Sequence, residues 1–251
     1  MSSAVPVDQI LKYLNTTNGR EKLYRTIQYF SRFYAWHLFR QGASKETVAR
    51  WNGLKTNLAS GRKLFRLFKP IEFGKGAVAA LNVNDSVLRT TGALRQLGYF
   101  GYFFVEMFVY LHQVGFITLQ NHKKISDLGF KFWAAALAFS VSNGLYKLKQ
   151  VQGRIEMIKR NSKLVNASTS EKDAQRAADY RMQEKALVNH LLLTSHREKS
   201  DATYQLLQDA LDFIIPSSTL GWIAADEGLV GIVGTVTSIM GASTQWKKVS
   251  V

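Results

Sequence analysis

The sequence predicts an all-α chain, a helical membrane protein with N-terminal amphipathic helices and two to three transmembrane helices. Three observations carry this expectation. The long periodic segments repeat their apolar residues every three or four positions, and no alternating run bounded by hairpin dipeptides competes with them. Three segments, 97–119, 132–146 and 228–246, are too apolar for ordinary surface helices. The chain also carries 33 Lys and Arg against 18 Asp and Glu, a net charge of +15. Residues 1–96 hold 16 of those bases and 5 of the acids, or +11. Such a surplus favours a polyanionic partner.

The basic region, residues 1–96, opens with a short helix that Asp8 can cap and that runs to Leu14, followed by the turn signal NTTNG at 15–19. In REKLYRTIQYFSRFYAW, the residues Leu23, Ile27, Phe30, Tyr34 and Leu38 share one helical face, with Arg25 and Arg32 opposite. Gly42 closes that helix, and Ser44 with Thr47 opens the next. On the stretch 54–71, Leu54, Leu58, Leu64, Phe65, Leu67, Phe68 and Ile71 fill half the helical wheel. Lys55, Arg62, Lys63, Arg66 and Lys69 fill the other half, and Pro70 kinks or ends the helix.

An apolar hairpin is expected over 97–147. Its first arm, LGYFGYFFVEMFVYLHQVGFITL, is interrupted by Glu106, His112 and Gln113. The second, FWAAALAFSVSNGLY, is short, with Lys131 and Lys147 placed to snorkel at its ends. Residues 148–216 read as a polar loop, densest over 159–185, leading into an amphipathic helix at 201–215 that Asp201 caps and Pro216 stops. The block 217–251 contains the strongest membrane segment, 19 uncharged residues between Asp226–Glu227 and Lys247–Lys248, ending in an interfacial Trp246.

These patterns suggest chemistry of surfaces rather than catalysis. There is no cysteine, which excludes disulfides, thiolate zinc sites and cysteine nucleophiles. His37, His112, His122, His190 and His196 lack metal-ligand spacing, and no nucleophile elbow, paired-carboxylate motif or phosphate loop occurs. No metal, cofactor or enzymatic activity is expected. The 54–71 helix suits the surface of an anionic phospholipid membrane. Each of five cations is worth roughly 1 kcal/mol near anionic lipid, and insertion of the leucines and phenylalanines adds a similar amount. Shallow insertion of such a helix spreads the headgroups of one leaflet and favours positive curvature. The opposing reading packs it on a protein core with its bases in water.

Glu106, with His112 and Gln113, is a candidate for lining a pore or pairing with a base on a neighbouring helix. The alternative is a protonated or interfacial carboxyl. Gly231, Gly234, Ser238 and Ala242 are candidates for self-association, since a stripe of small residues lets helices touch closely; the alternative is ordinary glycine content. A nucleic-acid partner would explain the charge but not the uncharged 19-residue segment, and none is expected.

The stretch NGREKLYRTIQYFSRFYAW at 18–36 resembles the N-terminal signature of the peroxin-eleven family of peroxisomal membrane-elongation proteins, nearest its fungal branch. LKTNLASGRKLFRLFKPIEF at 54–73 is similar to that family's membrane-remodelling helix, and DALDFIIPSSTLGWIAADEGLVGIVGTVTSIMGASTQW to its C-terminal block. The resemblance implies a protein of the peroxisomal membrane that elongates the organelle before division, self-associates and acts upstream of a dynamin-related fission machinery. A non-selective metabolite channel is the alternative it implies. By position, the remodelling role falls on Leu58, Arg62, Lys63, Phe65, Arg66, Phe68, Lys69 and Ile71. Phosphorylation of the polar loop is a family trait, with Ser162 as the candidate. The +11 of residues 1–96 places that region on the cytosolic side.

Overall fold

A computed structural model describes residues 7–167 and 174–250. Among them the regular structure is helical throughout, with no strand. The chain divides into two compact units, Met1–Ser140 with Gln208–Val251, and Val141–Leu207.

The first unit begins with α1 (Val7–Leu14) and α2 (Thr17–Arg40). Thr16 stops the first and starts the second: its hydroxyl accepts from Gly19 N at 2.9 Å, satisfying one orphan donor of the first turn. Gly42 sits just past α2 at φ 75°, as a left-handed residue after a helix end should. Ser44 then caps α3 (Lys45–Phe65) through Thr47 N. The chain breaks at Phe68, whose φ of 64° is the only positive value at a non-glycine described residue, and restarts with Pro70 in the first turn of α4 (Lys69–Ala80). Pro70 cannot continue the preceding run, because it has no N–H to donate and its ring would clash with the carbonyl four residues back. Asp85 and Asp226 cap α5 (Ser86–Gln113) and α9 (Glu227–Val249) in the same manner.

Packing in this unit relies on small residues. α9 lies along α2, with Gly228 against the Trp36 ring, Gly231 against the Phe33 backbone and Gly234 against the Tyr29 ring; a side chain at any of them would collide. Tyr29, Ile215 and Val230 form a buried apolar cluster beside Trp133. α6 (His122–Ala167) brings Ala136 onto Gly98 and Phe132 onto Gly101 of α5. α7 (Ala174–Asp212) and α8 (Ile214–Thr219) return the chain to α9, with Ser140 donating to Asp209 at 2.5 Å. The second unit is made by the remainder of α6 and α7. It buries Val151, Ile155, Ser195 and Ala202, and joins Arg154 to Glu198 at 2.8 Å.

Helix content agrees with expectation, but the two to three transmembrane helices do not. Among the described residues no helix is long and apolar enough to cross a membrane. The reasons are local. The apolar run from 97 is interrupted by Glu106 and His112, and its helix ends at Gln113. The 132–146 segment is the middle of α6, which runs on into Lys147, Lys149 and Arg154, so its uncharged run is too short to cross a membrane. In 228–246, nine of nineteen residues are Gly, Ser or Thr, which contribute little to transfer into hydrocarbon. The expected helix at 201–215 belongs to α7 and α8, broken at Phe213. Of the expected polar loop, residues 159–167, Ser162 included, are the end of α6, and 168–173 lie outside the described residues.

Candidate membrane-contact site

Several charges on the helices of the first unit, Glu21, Arg25, Arg62 and Glu106 among them, are turned inward. On α2, Leu23, Ile27 and Phe30 are exposed, while Glu21, Arg25 and Tyr29 on the other side are buried. The same inversion continues through α3 and α4. Arg62 is 5% exposed, whereas Leu64 is 50%, Phe68 68% and Ile71 71% exposed. Leu54 is also exposed, and Leu58, Phe65 and Leu67 are half-buried, Phe65 stacking on Tyr24 at 5.7 Å. On α9, Leu229, Ile232, Val236 and Ile239 face outward, and on α5 so do Phe100, Phe104 and Phe108. The apolar and cationic halves of the wheel are therefore real, but their surroundings are exchanged. The cations face protein and the oily flank is open.

Arg25, Arg62 and Arg66 each have a carboxylate, because an unpaired charge in such a place costs several kcal/mol. Arg62 donates twice to Glu21 Oε1, at 2.9 and 2.6 Å, and once to Gln28 at 2.5 Å. Arg66 donates to Glu106 Oε1 at 2.8 Å, and the Tyr102 hydroxyl donates to the same oxygen at 2.9 Å. Arg25 reaches Asp212 at 2.6 Å and Thr237 at 3.2 Å, tying α2 to the end of α7 and to α9. Lys63 donates to Gln113 at 2.8 Å and Lys69 to Asn18 at 3.1 Å. At the edge, Arg32 and Lys55 share Glu227.

The electrostatics follow from this enclosure. Burial alone would raise the Glu21 carboxyl, but Arg62, Lys22, Arg66 and Arg25 outweigh it and hold it well below the usual carboxylate range. Burial alone would lower Arg66, and Glu106, Tyr102 and Glu21 reverse it. Arg62 is lowered, first by burial and then by its neighbour Arg66. Tyr102 is pushed up by burial and by Glu106 beside it, so it stays a hydrogen-bond donor.

Glu106 and Gln113 thus meet the basic edge of α3, while His112 closes the turn after α5. Its Nδ1 accepts from Leu119 N at 3.2 Å, and its ring lies 4.8 Å from that of His122. Gly231, Gly234 and Ser238 are buried, the two glycines against α2 of the same chain, and Ala242 is half-buried. Among the described residues no group of three or more His, Asp or Glu is placed to hold a metal ion. Sequence reasoning overlooked the partners Glu21, Gln28, Tyr102 and Asp212. One signal was available: Glu21 is the only acid between Asp8 and Glu46, in a segment rich in arginine.

Comparison with known proteins finds relatives over nearly the whole chain. Peroxisomal biogenesis factor 11 of Schizosaccharomyces pombe is 27% identical, covering 94% of this chain and 93% of that protein. Peroxisomal membrane protein PMP30B of Candida boidinii is 26% identical, over 96% and 94%. Peroxisomal membrane protein 11A of Homo sapiens is 22% identical, over 95% and 96%. No solved structure matches. The family described as Peroxisomal biogenesis factor 11 (PEX11) matches residues 7–246, and the chain belongs to that family.

Proposed function

We propose that this chain is a peroxisomal membrane protein that elongates the organelle membrane during peroxisome biogenesis, by laying the open apolar flank of α3 and α4 into one leaflet. The supporting observation is the inversion of that segment: Leu64, Phe68 and Ile71 are half or more exposed while Arg62 and Arg66 are internal. Large apolar side chains are worth about 1.5–3 kcal/mol each when fully removed from water. Phe68 and Ile71, 68% and 71% exposed, therefore offer most of that amount apiece to a bilayer. Insertion draws on this apolar term, and the exposed bases Arg20, Arg40, Arg50 and Lys75 add attraction to anionic phospholipid. Many copies seated at shallow depth crowd the headgroups of one leaflet and lengthen the membrane into a tubule. Self-association concentrates the wedges, and a dynamin-related fission machinery acts on the tubule. The basic N-terminal region faces the cytosol.

The test uses the full chain and vesicles containing anionic phospholipid. Leu64→Gln, Phe68→Gln and Ile71→Gln together should abolish tubulation while leaving the melting temperature of the protein unchanged, because those side chains touch solvent. Tubulation at wild-type level by the triple variant would refute the reading. Reversing Arg62 or Arg66 is not informative here, since each sits in a buried ion pair whose loss disturbs the fold.

A further inference from the structure

The ion pairs described above do not balance the charge gathered between α2, α3, α4 and α5. Lys22 and Arg62 both reach Glu21, at 3.6 and 2.6 Å. Arg66 takes Glu106, and Arg66 and Lys69 both lie 5.7 Å from the centre of the Phe103 ring. Arg25 and Asp212 neutralise one another beside them. This leaves five cations, Lys22, Arg62, Lys63, Arg66 and Lys69, around three carboxylates, Glu21, Glu106 and Glu72, the last of which acts on Lys69. Glu72, one turn along α4 from Lys69, is exposed.

Of these cations, Lys22 and Lys69 lie together. Lys69 reaches across to Asn18 Oδ1 at 3.1 Å, and Asn18 stands one turn before Lys22 on the same face of α2. The Lys69 ammonium therefore hangs over the α2 surface that carries Lys22. A neutral amide oxygen is a weak acceptor for such a group, and it occupies the place an anionic oxygen would take. Lys22 in turn lies across Gly241 of α9. Its Cδ, Cε and Nζ come within 3.2, 3.3 and 3.6 Å of where a Cβ would stand, so the glycine makes room for the charge. The Lys22 side chain is 30% exposed, enough for a ligand to reach it. Burial, with Arg25, Lys69 and Arg62 nearby, brings Lys22 down to about 8 against the pull of Glu21, and Lys69 is lowered first by burial as well.

We propose that Lys22 and Lys69, with Arg62 and Arg66 behind them, form a niche for a phosphate group, namely the headgroup phosphate of an anionic phospholipid. A phosphomonoester headgroup such as that of phosphatidate, which can carry two negative charges, supplies the two missing charges and accepts from both ammonium groups at once. Its assignment to lipid rests on the membrane reading above, whereas the phosphate chemistry rests on the cluster alone. Binding there would hold one lipid beside the apolar flank of α4, fixing the depth at which Phe68 and Ile71 sit.

The test is thermal melting of the full chain in an uncharged detergent and phosphate-free buffer, titrated with dihexanoylphosphatidate or with inorganic phosphate. The lipid should raise the melting temperature by several degrees and saturate, as ligand linkage requires. Lys22→Gln with Lys69→Gln should melt higher than wild type without ligand, because two repelling charges are gone, and should bind about thirtyfold more weakly. An equal shift with inorganic phosphate supports the niche and makes the free anion its ligand. No saturable shift with either probe, or a double variant that melts lower and keeps the wild-type response, overturns the proposal. Vesicle tubulation is read separately. Wild-type tubulation by the apolar triple variant, with the phosphate response intact, would refute membrane elongation and leave the niche standing.

Discussion

Replacing Glu21 by Gln takes one negative charge from among Arg62, Lys22, Arg66 and Arg25, whose positive charges all act on it. The carboxylate and its main partner are enclosed, with side chains 5% and 7% exposed, so water cannot take over the lost interaction. Gln can keep one hydrogen bond from Arg62 but none of the charge. Removing one partner of a buried ion pair costs about 3–5 kcal/mol, chiefly because the other charge is stranded. For a domain of this size each kcal/mol moves the melting temperature by roughly 2–4 °C, so Glu21→Gln should lower it by on the order of 10 °C. The assay is far-UV circular dichroism during heating in an uncharged detergent. A second variant separates charge from general damage. Glu21→Leu combined with Arg62→Met removes both charges and should recover most of the loss, since well-packed apolar pairs often match buried ion pairs. Glu21→Gln melting within about 2 °C of wild type would mean that the cations of α3 are not held as described, and would reopen their contact with lipid.

Two further outcomes are expected. Gly234→Leu drives a side chain into the Tyr29 ring and should destabilise the chain by about 3 kcal/mol through separation of α2 and α9; Ile239→Leu on the outer face of α9 is the control and should leave the melt unchanged. Stability should also rise with pH in two windows. Glu21 is held below its ordinary 4.5, so its stabilisation is complete above that pH and is lost as acid drives the pH down through the lower folded value. Lys22 is brought from 10.5 to about 8, so its charge burdens the fold below about 8 and the burden is relieved between 8 and 10.5. Melting at pH 7.5 and pH 9.5 checks the second window, where Lys22→Gln should flatten the rise.

Much of the local structure was legible in the chain. The start at Ser44 and the stop at Gly42 were read directly. The caps at Thr16, Asp85 and Asp226, which that reading passed over, are the same kind of short-range device, written in single residues that satisfy or terminate a helical turn. The division of 54–71 into an oily and a cationic half was equally plain, because helical periodicity is a property of the sequence alone. Apolar character invited the transmembrane reading, which failed on segments broken by Glu106 and diluted by glycine, serine and threonine.

What periodicity could not reveal is which half faces the protein. A helical wheel sorts residues relative to one another, and the same pattern describes a helix with its charges in water and one with its charges inside. Only long-range pairing decides between them, and here it joins Arg62 to Glu21, Arg66 to Glu106 and Arg25 to Asp212 across 41, 40 and 187 positions of sequence. The glycine face of α9 was likewise readable as a close-contact surface, yet its partner is α2 of the same chain. Composition and spacing determined that this protein is helical, basic and suited to a membrane. The tertiary structure decided that Arg25, Arg62 and Arg66 serve the interior and Leu64, Phe68 and Ile71 the outside, because a buried charge is tolerated only where an opposite charge from a distant element arrives to meet it.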